Sequence, residues 1–493
     1  MHRNLAESSK PHTFRTKESR FVTIVCFVLL MISVYYWLVT KADGSPAGQF
    51  GALVNAALFA ALGIRFVPIW VHSWSRPEGM TEGISAFNQR DQTVSAGKMI
   101  SVKVFCAFLL IDGLIILLIY ILQVLSGSTI SFRQALDIWR SVDSAHYLDI
   151  ARDWYVKTGN WDRMVQLVFL PGYPLLVRII NPVIRNDLVS GLIVSGVCFA
   201  GAATVLYRLV RLDHSHTHAV QVLKYLCILP GAFFFAAPMS ESLFLLLSVS
   251  SIYLLRKKDW FAACVLAGAA AFTRTLGLVL LVPVLFEMIT DSVETAAREQ
   301  ASKASQEETS DEAQHISDNK KLLLRNAAKY WNLIFILFGF GCYLFINYQA
   351  SGNPFQFLIY QKEHWSQSLG FFFNTAAYQI DYARGTLQAQ DYQYLLGLWL
   401  PNLTCIFLSL ILMLVAVKKL RPAYTAYFLI YYVIAIGATW LLSAPRYLST
   451  LFPIPMALAA VSEKRWLDAA LTIGLTIFFV LYAYMFVNRW GVY

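Results

Sequence analysis

The stretch FVTIVCFVLLMISVYYWLVT, residues 21–40, runs for twenty residues without a charge. A helix of that length covers about 30 Å, the hydrocarbon thickness of a bilayer. The run is too long for the apolar part of a secretion signal and lacks a small-x-small cleavage site, so it reads as an uncleaved span. Runs of similar length recur along the 493 residues. The chain is 57% hydrophobic and only 14% charged, where a soluble domain is nearer a quarter charged. The alternating ten-residue segments of a membrane β-barrel are absent. The reading is an all-α, polytopic integral membrane protein.

The net charge of +10 does not point to nucleic acid. Lys and Arg sit in short clusters beside apolar runs, as the positive-inside rule expects. Arg3, Lys10, Arg15, Lys17 and Arg20 place the N-terminus in the cytoplasm. Spans are then expected at 21–40, 50–71, 104–125 and 188–210. The apolar stretches 219–255 and 260–289 read as two hairpins, because Pro230 and Pro238 interrupt the first and Arg274 lies in the middle of the second. Further spans follow at 330–349, 395–417, 424–442, 447–462 and 466–487, about thirteen transmembrane helices in all. Met164–Val183 holds Pro171, Pro174 and Pro182 and reads as interfacial or re-entrant.

Four parts result. Residues 1–125 form a cytoplasmic tail and three spans. Residues 126–289 hold an exterior loop, 126–163, and the catalytic spans. Residues 290–329 are a polar cytoplasmic linker, disordered or helical. Residues 330–493 hold the remaining spans and a second exterior loop, 350–394. The seven cysteines lie in or beside apolar runs without metal or disulfide spacing and read as small buried hydrophobes.

This count puts Asp143, His146, Tyr173, Glu241, Arg274, His364, Trp365 and Arg446 on one exterior face. Ionisable groups beside apolar stretches are costly and mark function by default. Asp143 precedes an amphipathic segment, 144–156, and is either its N-cap or a carboxylate general base. Tyr173, between Pro171 and Pro174, offers an exposed ring for a sugar or lipid, or marks a mere helix break. Glu241 follows a capping Ser240 and can accept hydrogen bonds from substrate hydroxyls. Arg274 and Arg446 suit bidentate phosphate contact, or snorkel to the interface. His364 and Trp365 belong to the second exterior loop and contact a phosphate or an acceptor, or are simply solvated. His214, His216 and His218 have no Cys or carboxylate partner at metal spacing, and no metal or other cofactor is expected. No nucleotide-binding glycine loop is present.

Six motifs occur in order: Val142-Asp143-Ser-Ala-His146-Tyr147, Phe169-Leu-Pro171-Gly-Tyr173-Pro174, Ser240-Glu241-Ser-Leu-Phe244, Thr273-Arg274-Thr-Leu-Gly277, Gly352-Asn-Pro354-Phe with His364-Trp365, and Pro445-Arg446-Tyr447. Together they resemble the PIG-V-type mannosyltransferases, which add the second mannose of GPI anchors, and their prokaryotic relatives. The resemblance covers roughly residues 130–460. It implies a GT-C-type bundle with its site on the non-cytoplasmic face, and a polyprenyl-phosphate-linked sugar donor, mannose by analogy. It also implies inverting transfer without a tightly bound metal, with Asp143 as catalytic carboxylate. Val142 departs from the family, which commonly carries Trp there. The acceptor is a glycan, glycolipid or protein, and the lipid bilayer is the remaining partner. The expected location is a bacterial plasma membrane, or the ER membrane in a eukaryote. The competing functions are a lipid-linked glycan flippase and a non-catalytic scaffold.

Overall fold

The computed structural model describes residues 13–40, 44–73, 98–155, 165–304 and 326–493. The first part of the basic tail, most of the 72–103 segment and residues 305–325 of the expected linker lie outside them. All regular structure among the described residues is helical, apart from one isolated β-bridge between Leu369 and Ala438. Eight helices are long and apolar enough to cross a membrane: Arg20–Thr40, Pro46–Val71, Met99–Leu125, Asp187–Val210, Thr275–Ala296, Asn326–Ser351, Tyr392–Ala416 and Arg465–Val487. The other expected spans fold as shorter pieces: His216–Ile228, Glu241–Arg256, Trp260–Thr273, Pro422–Ile436, and the pair Ala444–Ser449 and Pro453–Val461.

The long helices differ in burial: Asp187–Val210 runs through the interior, while others lie outside. The long helices Arg20–Thr40 and Met99–Leu125 turn apolar side chains outward, with Phe21 68% and Leu110 65% exposed. In an aqueous protein such faces would need a cover; in a bilayer the lipid supplies it. The short helices form the centre, where Tyr427, Tyr431 and Tyr432 are fully enclosed. Of the cysteines, Cys198 and Cys264 are buried as expected, while Cys26 and Cys106 are exposed on the outer helices.

Both apolar stretches around residues 219–289 turn back on themselves. Arg256, at the end of Glu241–Arg256, donates to both oxygens of Asp213 at 2.6 and 2.7 Å. Asp213 precedes His216–Ile228, so that stretch begins and ends at the same end of the bundle. Lys258 reaches Asp291 at 2.6 Å and closes the second hairpin there too. The two tips, Ser240-Glu241 and Arg274, meet at the other end, joined by a hydrogen bond from Arg274 to Ser240.

The Asp213–Arg256 pair is largely shielded from solvent. Burial pushes the Asp213 carboxyl up, but the hydrogen bonds and charge of Arg256 outweigh it and hold it below the ordinary value. A depressed carboxyl contributes stability that is present above its unfolded pKa and is lost as pH falls through the folded one. Asp213→Ala is expected to lower stability by about 3 kcal/mol, because it strands a guanidinium. Detergent unfolding curves across acidic pH check this: the gap between wild type and variant should narrow as pH falls.

Two expectations are corrected, and for the start of the linker one of the two readings, helix, is the one observed. Within 165–183 the chain breaks at Pro171, between the 3-10 turn Val165–Val168 and the helix Gly172–Ile184, but Pro174 and Pro182 do not break that helix. Pro171 sits at its N-cap, and Pro174 in its first turn, where backbone N–H groups lack helical partners anyway. Pro182 falls in its last turn. The expected exterior loop 350–394 is mostly helix, Gln356–Trp365 and Phe372–Gln388. The second of these packs along Pro46–Ser73, with Ser45 bonded to Asp381 and Phe372 against Phe59. The 290–329 linker begins as helix, because Leu281–Ala304 continues into it.

Candidate active site

Asp143 follows Val142, whose φ of +58° lies in the left-handed region. A β-branched residue is strained there by about 1–3 kcal/mol. Neighbouring contacts hold it: Trp139 is buried, and Arg140 binds Asp187 at 2.6 Å. The turn starts the helix Ser144–Asp153, with Asp143 at the N-cap position. Its side chain makes no capping hydrogen bond. The carboxylate turns instead to Arg446, with Oδ2 2.7 Å from Nη2. The capping role is therefore not the one its geometry serves.

Glu241 opens the helix Glu241–Arg256 and is 2% exposed. Its Oε1 lies 2.5 Å from Arg274 Nη1 and 3.4 Å from Arg446 Nε. Its Oε2 is buried without a hydrogen-bond partner. Ser240 does not cap the helix either; its hydroxyl bonds the Tyr147 hydroxyl at 3.0 Å and accepts from Arg274 at 3.3 Å. Arg274 stands in extended backbone between the helix Trp260–Thr273 and the 3-10 turn Thr275–Leu280. Its guanidinium lies 5.0 Å from the ring centre of Tyr447, within cation–π range. Arg446, on the short helix Ala444–Ser449, lies 5.6 Å from the same ring. Neither arginine snorkels, since both are buried.

The result is a ladder, Asp143–Arg446–Glu241–Arg274, of two cations and two anions from four separate segments. Burial disfavours the charge on Arg446, and Asp143 and Glu241 more than restore it. Two glycines permit the close approach. A β-carbon on Gly172 would lie 2.3 Å from Thr273 Oγ1, beside Arg274. One on Gly231 would lie 2.5 Å from the Pro445 carbonyl oxygen, beside Arg446.

The ladder lies along a cavity of about 370 Å³. Asp143, His146, Glu241, Arg274, Trp365 and Arg446 all line it, so six of the eight expected side chains converge. The His146 ring stacks on Phe169 at 4.7 Å, and Trp365 meets the Phe169 edge at 5.8 Å. These rings form an aromatic wall opposite the charged ladder.

Tyr173 and His364 do not line this cavity. Tyr173 is fully buried, and its hydroxyl donates to Gly191 O at 2.8 Å and meets Ser195 Oγ at 2.9 Å. The expected exposed ring is in fact a brace between two helices. Helix continuity through Pro174 turns it inward. Tyr173→Phe is expected to cost about 1 kcal/mol of stability; a detergent melt of the variant beside wild type checks this. His364 packs against Tyr360 at 5.8 Å and Trp365 at 6.1 Å, one position too far round its helix to face the cavity.

The cavity also recruits residues without a role in the sequence reading: Tyr147, Gln361, Gln367, Tyr447 and Tyr493. Tyr147 and Tyr447 stand in the quoted motifs, and Gln361 and Gln367 lie close in sequence to His364-Trp365. Tyr493 carries no local signal, and only the fold brings it there. No group of three or more His, Cys, Asp or Glu suited to a metal ion occurs among the described residues. The rings of His214 and His218 lie 4.5 Å apart in a tilted arrangement.

A second cavity, about 380 Å³ and almost wholly apolar, lies on the other side of Ala444–Ser449. Pro445, Leu448 and Ser449 line it, while Arg446 and Tyr447 line the charged cavity. Leu408, Ile411 and Val415 on one helix and Leu467, Leu471 and Leu475 on another continue it along the bundle. The chain matches no family model, no curated protein and no solved structure.

Proposed function

We propose that the charged cavity is the active site of an inverting membrane glycosyltransferase. It moves a hexose, mannose by the motif resemblance, from a polyprenyl-phosphate donor to an acceptor hydroxyl. The bundle is then of GT-C type with about thirteen crossings, and the cavity opens on the non-cytoplasmic side. The observation that carries the reading is the pairing of Asp143 with Arg446, which shares the Glu241 carboxylate with Arg274, in a cavity one short helix away from an apolar groove. A lipid phosphate needs both kinds of surface.

The chemistry follows from the parts. The acceptor oxygen attacks the anomeric carbon, and the bond from that carbon to the phosphate oxygen breaks. The electron pair leaves with the phosphate. Arg274 and Arg446 offer guanidinium groups to that developing charge, a geometry suited to phosphate oxygens. Asp143 Oδ2 is held by Arg446, and Oδ1 is left to take the acceptor proton. Attack opposite the departing phosphate inverts the anomeric carbon. His146, Phe169 and Trp365 form the aromatic side against which a sugar face can pack.

The test uses membranes holding the full chain, polyprenyl-phosphate-[³H]mannose of known anomeric configuration and a host lipid extract. Label should move to an acceptor with inverted configuration. Retained configuration, or no transfer across a panel of polyprenyl-phosphate hexoses, defeats the proposal.

A further inference from the structure

A third cleft, of about 490 Å³, opens beside the charged cavity. The two share a wall: Val142 and Tyr493 line both. Asp137, Arg140, Arg489 and Gly491 complete the far side. The strained Val142, immediately before Asp143, therefore stands at the partition between two chambers.

The tail after Arg465–Val487 builds half of this partition. Positive φ values at Arg489 and Gly491 turn it back over the bundle. Asn488 anchors its start by donating to Ser126 Oγ at 3.1 Å. Trp490 N donates to Met485 O at 3.0 Å, and Ser443 Oγ donates to the backbone oxygen of Tyr493. Ser443 itself lines the charged cavity, so the tail is fastened to the site's own wall.

The two arginines of the cleft differ. Arg140 is occupied by Asp187 at 2.6 Å and faces Asp137 at 3.8 Å. Arg489 is exposed and makes no ion pair among the described residues. A free guanidinium in a cleft has the donor fork that phosphate oxygens fit. In the charged cavity, by contrast, both arginines already hold carboxylates.

We infer that this cleft receives the acceptor, that the acceptor carries a phosphate bound by Arg489, and that Tyr493 divides it from the donor. The inference rests on the glycosyltransferase reading for the word acceptor; the phosphate site itself stands on the cleft. Asp143 lines the charged cavity and not this cleft, so the acceptor hydroxyl reaches past Val142 and Tyr493 to meet it. The tail, not the bundle, selects the acceptor.

Glycerol 1-phosphate and glycerol serve as probes with the full-length protein in detergent. Transfer of [³H]mannose from its polyprenyl phosphate is measured to each, giving the ratio of their kcat/KM values. Wild type should prefer the phosphate-bearing probe by about tenfold or more, the worth of one charge-assisted contact. Arg489→Ala should bring the ratio towards one through KM for glycerol 1-phosphate, and Arg489→Lys should restore part of it. An equal ratio in wild type, or one that Arg489→Ala leaves intact, overturns the inference. Equilibrium binding of [¹⁴C]glycerol 1-phosphate to wild type and Arg489→Ala separates the two claims. Binding lost in the variant, with no transfer by wild type, keeps the phosphate site and removes the glycosyltransferase. Binding equal in both, or absent in both, removes the site whatever the transfer result.

Discussion

Asp143→Asn should lower mannose transfer by about 10²–10⁴-fold, the worth of a positioned general base. Asparagine keeps the shape of the side chain and can still accept from Arg446, but it cannot take the acceptor proton. The structure removes the simplest competing account. Asp143 occupies an N-cap position without capping, so loss of activity in this variant does not come from an unravelled helix. One structural role remains, as a counter-ion 2.7 Å from Arg446. The assay distinguishes the two. A base lost from an otherwise intact site lowers kcat and leaves donor binding, whereas a displaced Arg446 weakens donor binding as well. Transfer at near wild-type rate by the variant would reduce Asp143 to a partner of Arg446 and leave the reaction without its base.

Glu241→Gln is expected to produce the largest loss of stability, about 3–5 kcal/mol, as removal of one member of a buried ionic network does. Glu241 is the shared counter-ion of Arg274 and Arg446, and the variant leaves two buried guanidinium groups against Asp143 alone. The same imbalance makes a specific prediction about anions. Inorganic phosphate should raise the melting temperature of Glu241→Gln more than that of wild type, because the arginines are no longer neutralised. Equal stabilisation of both proteins would mean that phosphate does not reach this pair, and would count against its role with a phosphate leaving group. A network of this kind explains how two arginines stay buried in the resting protein and yet remain available: a carboxylate holds them until an anion competes for them.

The outer helices were legible because each is a long apolar run, and span length needs no partner to be read. Residues 21–40 and 466–487 fall within one residue of the membrane-length segments Arg20–Thr40 and Arg465–Val487. The hairpin turns were legible for a related reason. Pro230, Pro238 and Arg274 are poorly tolerated inside a spanning helix, so the chain turns where they stand. Of the prolines of 171–182, Pro171 marks a break as read, while Pro174 does not, because in a first turn a proline breaks no hydrogen bond. Residues 350–394 looked like a loop because Phe372–Gln388 is rich in polar residues. Its helix is held by packing on Pro46–Ser73, which no local pattern announces.

The candidate site divides along the same line. Its charged members were visible one by one, since a charge beside an apolar run is conspicuous wherever it occurs. Which charge meets which was not visible, because Asp143 and Arg446 are 303 positions apart. Tyr173 and Trp365 looked alike as aromatic candidates, yet one braces two helices and the other faces the cavity. Tyr493 reaches the site because two left-handed residues turn the tail towards it. Hydropathy is a property of each segment alone, and it established a helical membrane protein and which residues sit where charge is costly. The direction of each side chain, and the company each charge keeps, depend on contacts between segments, and folding alone supplied them.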